Sequence, residues 1–448
     1  MKFKTEKELM DYTSKIKGKT FKEIDSENLL ENSNLKKQKG LLGHIVETGF
    51  YKYNLNNTSV ADFEELGIEL KVTGYIKNKK GNLRAKERLV LSKIDYNKII
   101  NETFETSHVL GKCEKMLIIW YEYDSNKDPE DFIITDFQLY DMGKDKTIFE
   151  NDFEIIKTKV LEGKAHELSE GDTSYLGACT KARTSKDRTS QPFSEILSKP
   201  RAYSLKNAYM TGILREIVKS TPSTYNKKSK YDEFKTVVEF VKNKLKPYFG
   251  KTQLEILEEI TNRKYNEKIP KNISKMISDE LIGKDSELPQ KNELFTKTSF
   301  IIKNLPIQEN GKPRERMSFK TIRLSDFKEN WNDSYWKNYF EETTFIIICY
   351  KEVNGSKNGY RILDDVKQIT FNDNDLDEFE KTYNQIKNEI YNKDIDLLPI
   401  STNGFKNQCL EIAPKGVKGD DAYVNFFKKN KTKVAFMLSK KLLVKKLL

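Results

Sequence analysis

The sequence is poor in the residues that build covalent staples and metal cages. Its 448 residues include only three histidines (His44, His108, His166) and four cysteines (Cys113, Cys179, Cys349, Cys409), far apart and without a CxxC pair. This spacing excludes a disulfide framework, a zinc finger and a His-rich metal site, and it suits free thiols in a reducing compartment. No apolar run approaches the ~20 residues that span a bilayer. The opening Met1-Lys-Phe-Lys-Thr-Glu-Lys7 lacks the apolar core of a signal peptide, so a cytoplasmic location is expected. Neither GxGxxG nor a P-loop is present, which removes support for nucleotide-dependent chemistry.

Positive charge is plentiful. Lys and Arg number 79 against 68 acidic residues, a net charge of +11 that suits a polyanion such as DNA or RNA, or an anionic membrane face. Charge alone also describes a solvated lysine-rich surface. With 37% hydrophobic and 11% aromatic residues the chain can fill a core, and its length suits two or three domains.

The polar stretch Lys219–Lys230, with Pro222 and no periodicity, reads as a linker between nearly equal halves, 1–218 and 231–448. The halves echo each other in order. Gly81–Arg88 and the following Leu89–Tyr96 match Gly311–Arg316 and Met317–Phe327. The apolar Met116–Tyr121 matches Phe345–Tyr350, and Ala202–Lys206 matches Ala435–Lys440, each opening a terminal helix. In the first half, apolar spacing predicts helices over 5–17, 35–48 and 205–218 and strands over 68–72, 88–94 and 116–121. The irregular mixture predicts α/β halves, each a small mixed sheet flanked by helices, rather than a doubly wound sheet. The basic C-terminal segment 440–448 could mark a membrane-surface helix, but its place in the repeat predicts a docked terminal helix.

The chemistry concentrates in Val60-Ala-Asp-Phe-Glu-Glu-Leu-Gly-Ile-Glu-Leu-Lys-Val72. Strand alternation puts Ile68, Leu70 and Val72 on one face, and Glu69, Lys71 and Thr73 on the other. A turn at Gly67 would return Asp62 to their side. Two carboxylates can hold Mg²⁺, which prefers oxygen ligands and retained waters. The lysine can orient a water and offset charge on a phosphate. The spacing D-x6-E-x-K alone arises by chance on the order of 0.1–1 times in such a chain. Two neighbours add weight: Glu47, on the helix from Lys39, and Lys112, just before the apolar strand, would complete three carboxylates and two lysines.

Asp62–Lys71 resembles the catalytic motif of the MutH mismatch-repair nicking endonucleases, a variant of the PD-(D/E)xK signature. Glu105-Thr-Ser-His-Val109 with Lys112, Lys39-Gly-x-x-Gly with Glu47, Leu176–Ala182 and Lys199–Lys206 resemble further blocks of that family, across roughly residues 35–215. MutH proteins have about half this length. A doubled chain resembles the Sau-type restriction endonucleases, which cut at GATC and whose second half binds DNA allosterically without catalysis. The resemblance implies two tandem MutH-like domains, the second degenerate: Ile301 of Phe300-Ile-Ile-Lys303 replaces the glutamate, and no aspartate stands at the matching distance upstream. Its basic residues Arg314, Arg316, Lys415 and Lys418 could still bind phosphates.

The implied activity is Mg²⁺-dependent hydrolysis of double-stranded DNA 5′ to the G of GATC. Asp62, Glu69 and Glu47 would ligate the metal, Lys71 position the water and Lys112 support the phosphate. Ser107, His108, Lys181, Arg183, Lys186, Arg201, Tyr203 and Lys206 would face DNA, with Lys181 the foremost candidate for base readout. Cys179 and Thr180 depart from the proline and arginine that the family's recognition block tends to carry. With one intact site per chain, a monomer that dimerises on DNA is expected. The alternatives are a mismatch-repair-type GATC nickase and a non-catalytic DNA-binding regulator.

Overall fold

The computed structural model describes residues 2–31, 40–53, 61–77, 81–181, 186–218, 234–265, 268–284, 293–392, 409–418 and 432–447. These divide into two compact units. The first comprises Met1–His166, Thr173–Lys228 and Thr296–Thr298; the second comprises Glu167–Asp172, Ser229–Phe295 and Ser299–Leu448. The expected linker, 219–230, lies outside the described residues.

The first unit is built on two sheets. β1 (Glu69–Lys77), β2 (Leu83–Ala85), β4 (Lys115–Glu122) and β5 (Ile134–Asp141) form a sheet in the order β2-β1-β4-β5. β1 runs parallel to β4, while β2 and β5 are antiparallel to their neighbours, so the sheet is mixed as the sequence predicts. Met116 to Trp120 of β4 are wholly buried. Their unbroken apolar run is the mark of an inner strand covered on both faces. β3 (Leu89–Lys93), β6 (Leu176–Thr180) and β9 (Arg201–Leu205) make an antiparallel sheet in the order β3-β9-β6. Between β6 and β9, β7 (Thr189–Gln191) and β8 (Ser194–Ser198) form a separate hairpin. The helix Lys146–Leu161 buries Phe149, Phe153, Ile156 and Val160, a three-to-four spacing that makes one apolar stripe.

The second unit repeats this plan. β10 (Phe300–Ile307), β12 (Thr344–Lys351) and β13 (Ile362–Ile369) form a sheet in the order β10-β12-β13, its first pair parallel and its second antiparallel. β11 (Met317–Thr321), β14 (Leu410–Lys418) and β15 (Thr432–Leu438) form the antiparallel order β11-β15-β14. The register matches too. Glu69 pairs with Met116 and Lys71 with Ile118 in the first unit; Ile301 pairs with Phe345 and Lys303 with Ile347 in the second. The sequence echo therefore aligns on both strands. The terminal helix Lys440–Leu447 buries Leu442, Leu443 and Leu447 in this unit's core, which makes it a docked helix. Among the described residues no helix is long and apolar enough to cross a membrane.

Candidate active site

Three local devices bring distant side chains to the start of β1. The first is a turn. Phe63 and Ile68 bond to each other across Glu64–Gly67, amide to carbonyl at 2.9 and 3.3 Å, and Gly67 takes φ +63°, a conformation that costs a glycine little. The turn lays Asp62 back along β1, where its Oδ2 accepts from the Leu70 amide at 2.8 Å.

The second device is a widened helical turn. The helix Leu41–His44 passes into a π-helix, Ile45–Phe50, closed by the Tyr51 amide donating to the Val46 carbonyl at 3.0 Å. Such turns are rare and concentrate at functional sites. Gly49 permits close packing here: a Cβ at that position would lie 2.5 Å from the Ile24 carbonyl oxygen. Glu47 sits in this turn, half-buried.

The third device is the short helix His108–Cys113. Ser107 caps it, accepting from the Leu110 amide at 3.3 Å. Lys112, in its last turn, donates to Glu69 Oε2 at 2.9 Å, while Lys71 donates to Glu69 Oε1 at 2.7 Å. Glu69 is only 4% exposed, so its charge is held by two ammonium groups rather than by water.

The electrostatics link all five groups. Burial pushes the Glu47 carboxyl up to about 7, and the charges of Asp62 and Glu69 push the same way against Lys71. Burial and Glu69 also raise Asp62, opposed by the Leu70 amide, Lys71 and Lys112. Carboxylates that burial and mutual repulsion make reluctant to ionise are relieved by a cation. Their all-oxygen donor set suits a hard dication. The expected three-carboxylate cage is nevertheless not preformed. Among the described residues no group of three His, Cys, Asp or Glu side chains is placed to hold a metal ion. Both Glu69 oxygens are taken by lysines. A dication that binds through one or two carboxylates, with waters and a substrate phosphate completing its shell, fits this arrangement.

The residues expected to face DNA divide sharply. His108, Lys181 and Lys186 are exposed, and the Lys181 amide donates to the Pro200 carbonyl at 2.7 Å. Arg183 lies outside the described residues. Four others must be corrected, because they are buried. Ser107 is the helix cap. Arg201, Tyr203 and Lys206 are 2%, 4% and 1% exposed. β9 is the middle strand of its sheet, so both its edges are paired, and all five of its residues are buried. Arg201 donates to the Ala178 carbonyl of β6, and Tyr203 stacks on Phe153 with ring centres 6.1 Å apart. Lys206 donates to the Thr173 carbonyl beside Asp152. Asp152, which sequence reasoning missed, is buried and accepts the amides of Ser174, Tyr175 and Leu176 at 2.7, 2.6 and 2.9 Å. Burial lifts its carboxyl to about 6 while Lys206 and the amides hold it down.

In the second unit Lys303 occupies the Lys71 register but donates to the Ser318 carbonyl at 2.8 Å. Three of the cations expected on phosphate are engaged internally. Arg314 pairs with buried Glu352 at 2.8 Å, Arg316 with buried Glu411, and Lys415 bonds the Phe319 carbonyl. The Lys418 side chain lies outside what is described.

A mixed sheet carrying Glu-x-Lys on β1, with an aspartate folded back onto that strand, defines a nuclease of the restriction-endonuclease-like class. Residues 51–152 match the family described as DNA mismatch repair enzyme MutH. Over 374 residues the chain is 34% identical to the type II restriction enzyme Sau3AI of Staphylococcus aureus, a match covering 79% of this chain and 75% of that protein. The chain belongs to this MutH-related family of type II restriction endonucleases: it is a site-specific deoxyribonuclease acting on double-stranded DNA.

Proposed function

We propose that the first unit cleaves double-stranded DNA at GATC, 5′ to the G, in a Mg²⁺-dependent reaction, and that the second unit binds a further GATC copy and favours the active state. The observation that carries the catalytic reading is Glu69, buried between Lys71 and Lys112 with Asp62 and Glu47 acting on the same spot. Asp62 and Glu69, with Glu47 beside them, would hold the metal, which when bound supplies an activated water and neutralises charge on the phosphate. Lys71 orients the attacking water along the strand face it shares with Glu69. Lys112 fixes the Glu69 carboxylate and adds positive charge where the phosphate becomes more negative. Lys181 and Lys186 grip the duplex, Lys181 reading a guanine edge.

The degenerate second site supports one catalytic centre per chain, because Ile301 stands in the register of Glu69. A double-strand break then needs two chains meeting on the palindrome or one chain cutting twice, and we favour the first.

Digestion of unmethylated plasmid with Mg²⁺, beside the Asp62→Ala and Glu69→Ala proteins, tests this reading. Linear fragments with ends at GATC, absent with both variants, are expected. Nicked circles alone would favour a mismatch-repair-type nickase. Intact plasmid retarded on a gel would leave a DNA-binding regulator.

A further inference from the structure

We propose that the β7–β8 hairpin is an apolar wedge, and that Phe193 at its tip enters the base stack of bound duplex DNA. This rests on the reading above that the first unit grips DNA beside Lys181.

The hairpin is unusual in what it exposes. Phe193, Ile196 and Leu197 are 68%, 57% and 53% exposed. A single exposed apolar side chain is ordinary, but three within five residues are not. Leu161, also exposed, ends the helix two residues before Gly163, on which the hairpin tip rests. Phe193 itself takes φ +61°. For a bulky residue that left-handed conformation costs on the order of 1 kcal/mol, and burial returns nothing here.

The tip is nonetheless held firmly. Buried Gln191 accepts the Ala165 amide at 2.7 Å and donates to the Ile196 carbonyl at 2.5 Å, with His166 Nδ1 at 3.0 Å. A Cβ on Gly163 would lie 2.5 Å from the Phe193 carbonyl oxygen, so backbone meets backbone under the tip. A rigid support and a strained, solvent-facing aromatic form a probe, not a loose loop.

Charge selects the occupant. Lys186 and Arg188 are exposed on the segment leading into β7. The foot of the hairpin at Ser198 lies two residues from Pro200, whose carbonyl takes the Lys181 amide. A second copy of a chain with net charge +11 would set these cations against themselves. A duplex offers phosphates to the cations and a base step to the ring, the arrangement by which apolar side chains unstack and kink DNA.

The test uses the full chain and a duplex of about 30 base pairs containing GATC, with 2-aminopurine at the adenine and at flanking steps, and Ca²⁺ replacing Mg²⁺. Anisotropy reads binding, and 2-aminopurine fluorescence reads unstacking. The wild type should raise the fluorescence at one step. Phe193→Asn should abolish that rise and weaken binding roughly tenfold. Phe193→Leu should keep part of both. Asn tolerates the left-handed conformation, so this variant should melt at or above the wild-type temperature. An equal rise and equal affinity with Phe193→Asn overturns the wedge. So does a change confined to sedimentation, which would make the hairpin a contact between copies. Failure of the wild type to bind any duplex would instead sink the DNA reading itself.

Discussion

In the proposed reaction the site's chemistry turns on Glu69. It is buried, and its two oxygens are neutralised by lysines from different elements. Removing Lys112 leaves Oε2 without its lysine and, on the proposed mechanism, strips positive charge from the reacting phosphate. Lys112→Ala should therefore lower the cleavage rate by roughly 100-fold or more, while DNA affinity, read by anisotropy, changes little. Glu47 makes a separate prediction through pH. Its carboxyl rises from an ordinary 4.5 to about 7 on folding. The folded protein therefore holds this proton more tightly than the unfolded chain does. The group's contribution is fully present below about 4.5 and is lost as pH climbs through about 7. In metal-free buffer, Glu47→Gln should raise the melting temperature at pH 8 by roughly 2–4 °C, the equivalent of about 1 kcal/mol after allowance for partial exposure, and should have little effect at pH 4.5. Millimolar Mg²⁺ should erase the advantage at pH 8, because the wild-type carboxylate then has a cation. Melts at the two pH values, with and without metal, check all three statements.

Elements set the positions of these residues, and two glycines separate the elements that tolerate change from those that do not. Gly49→Ala drives a methyl group against the Ile24 carbonyl under the π-helical turn that carries Glu47. It should cost about 1–3 kcal/mol and reduce cleavage further than the stability loss explains. Gly111, on the Lys112 helix, is exposed with open space around it, so Gly111→Ala should be neutral or slightly stabilising. Chemical denaturation of both variants decides this. At the same scale, Lys206→Met should destabilise the first unit rather than merely loosen DNA, since it strips buried Asp152 of the cation that holds its carboxyl down, at a cost of roughly 3–5 kcal/mol. Circular dichroism separates the two outcomes. These contrasts show which parts were readable beforehand. Asp62, Glu69 and Lys71 were legible because strand alternation and one turn glycine are local rules. β4 was legible from its apolar run, and its counterpart β12 from the repeat. The π-turn was not, since an i→i+5 bond has no residue signature. The depth of Arg201, Tyr203 and Lys206 was not either. Their basic and aromatic chemistry matches that of DNA contacts, and only the sheet order reveals that β9 lies in the middle.

At the scale of the whole molecule, a fold used twice carries its carboxylates once. Pairing Ile301 with Phe345 where the first unit pairs Glu69 with Met116 means that the second unit keeps the strand, the lysine and the packing but not the carboxylate proposed to bind metal. Two strands of DNA must then be cut by centres on two chains, or by one centre in two visits. Mixing separates these routes. If two chains meet on one palindrome, a tenfold excess of the Glu69→Ala protein over wild type should pair most active chains with an inactive partner. One strand would be cut and the other spared, so nicked circles should accumulate while linear DNA falls away. If one chain visits twice, the inactive protein only competes for sites. Nicked and linear products would then slow together, with their ratio unchanged. The duplicated architecture favours the first outcome, because a centre bound to one strand of a palindrome leaves the symmetry-related phosphate open to a second chain in the same orientation. Gel quantification of the nicked-to-linear ratio against the mixing ratio tests that expectation, and a flat ratio would return the second cut to the same chain.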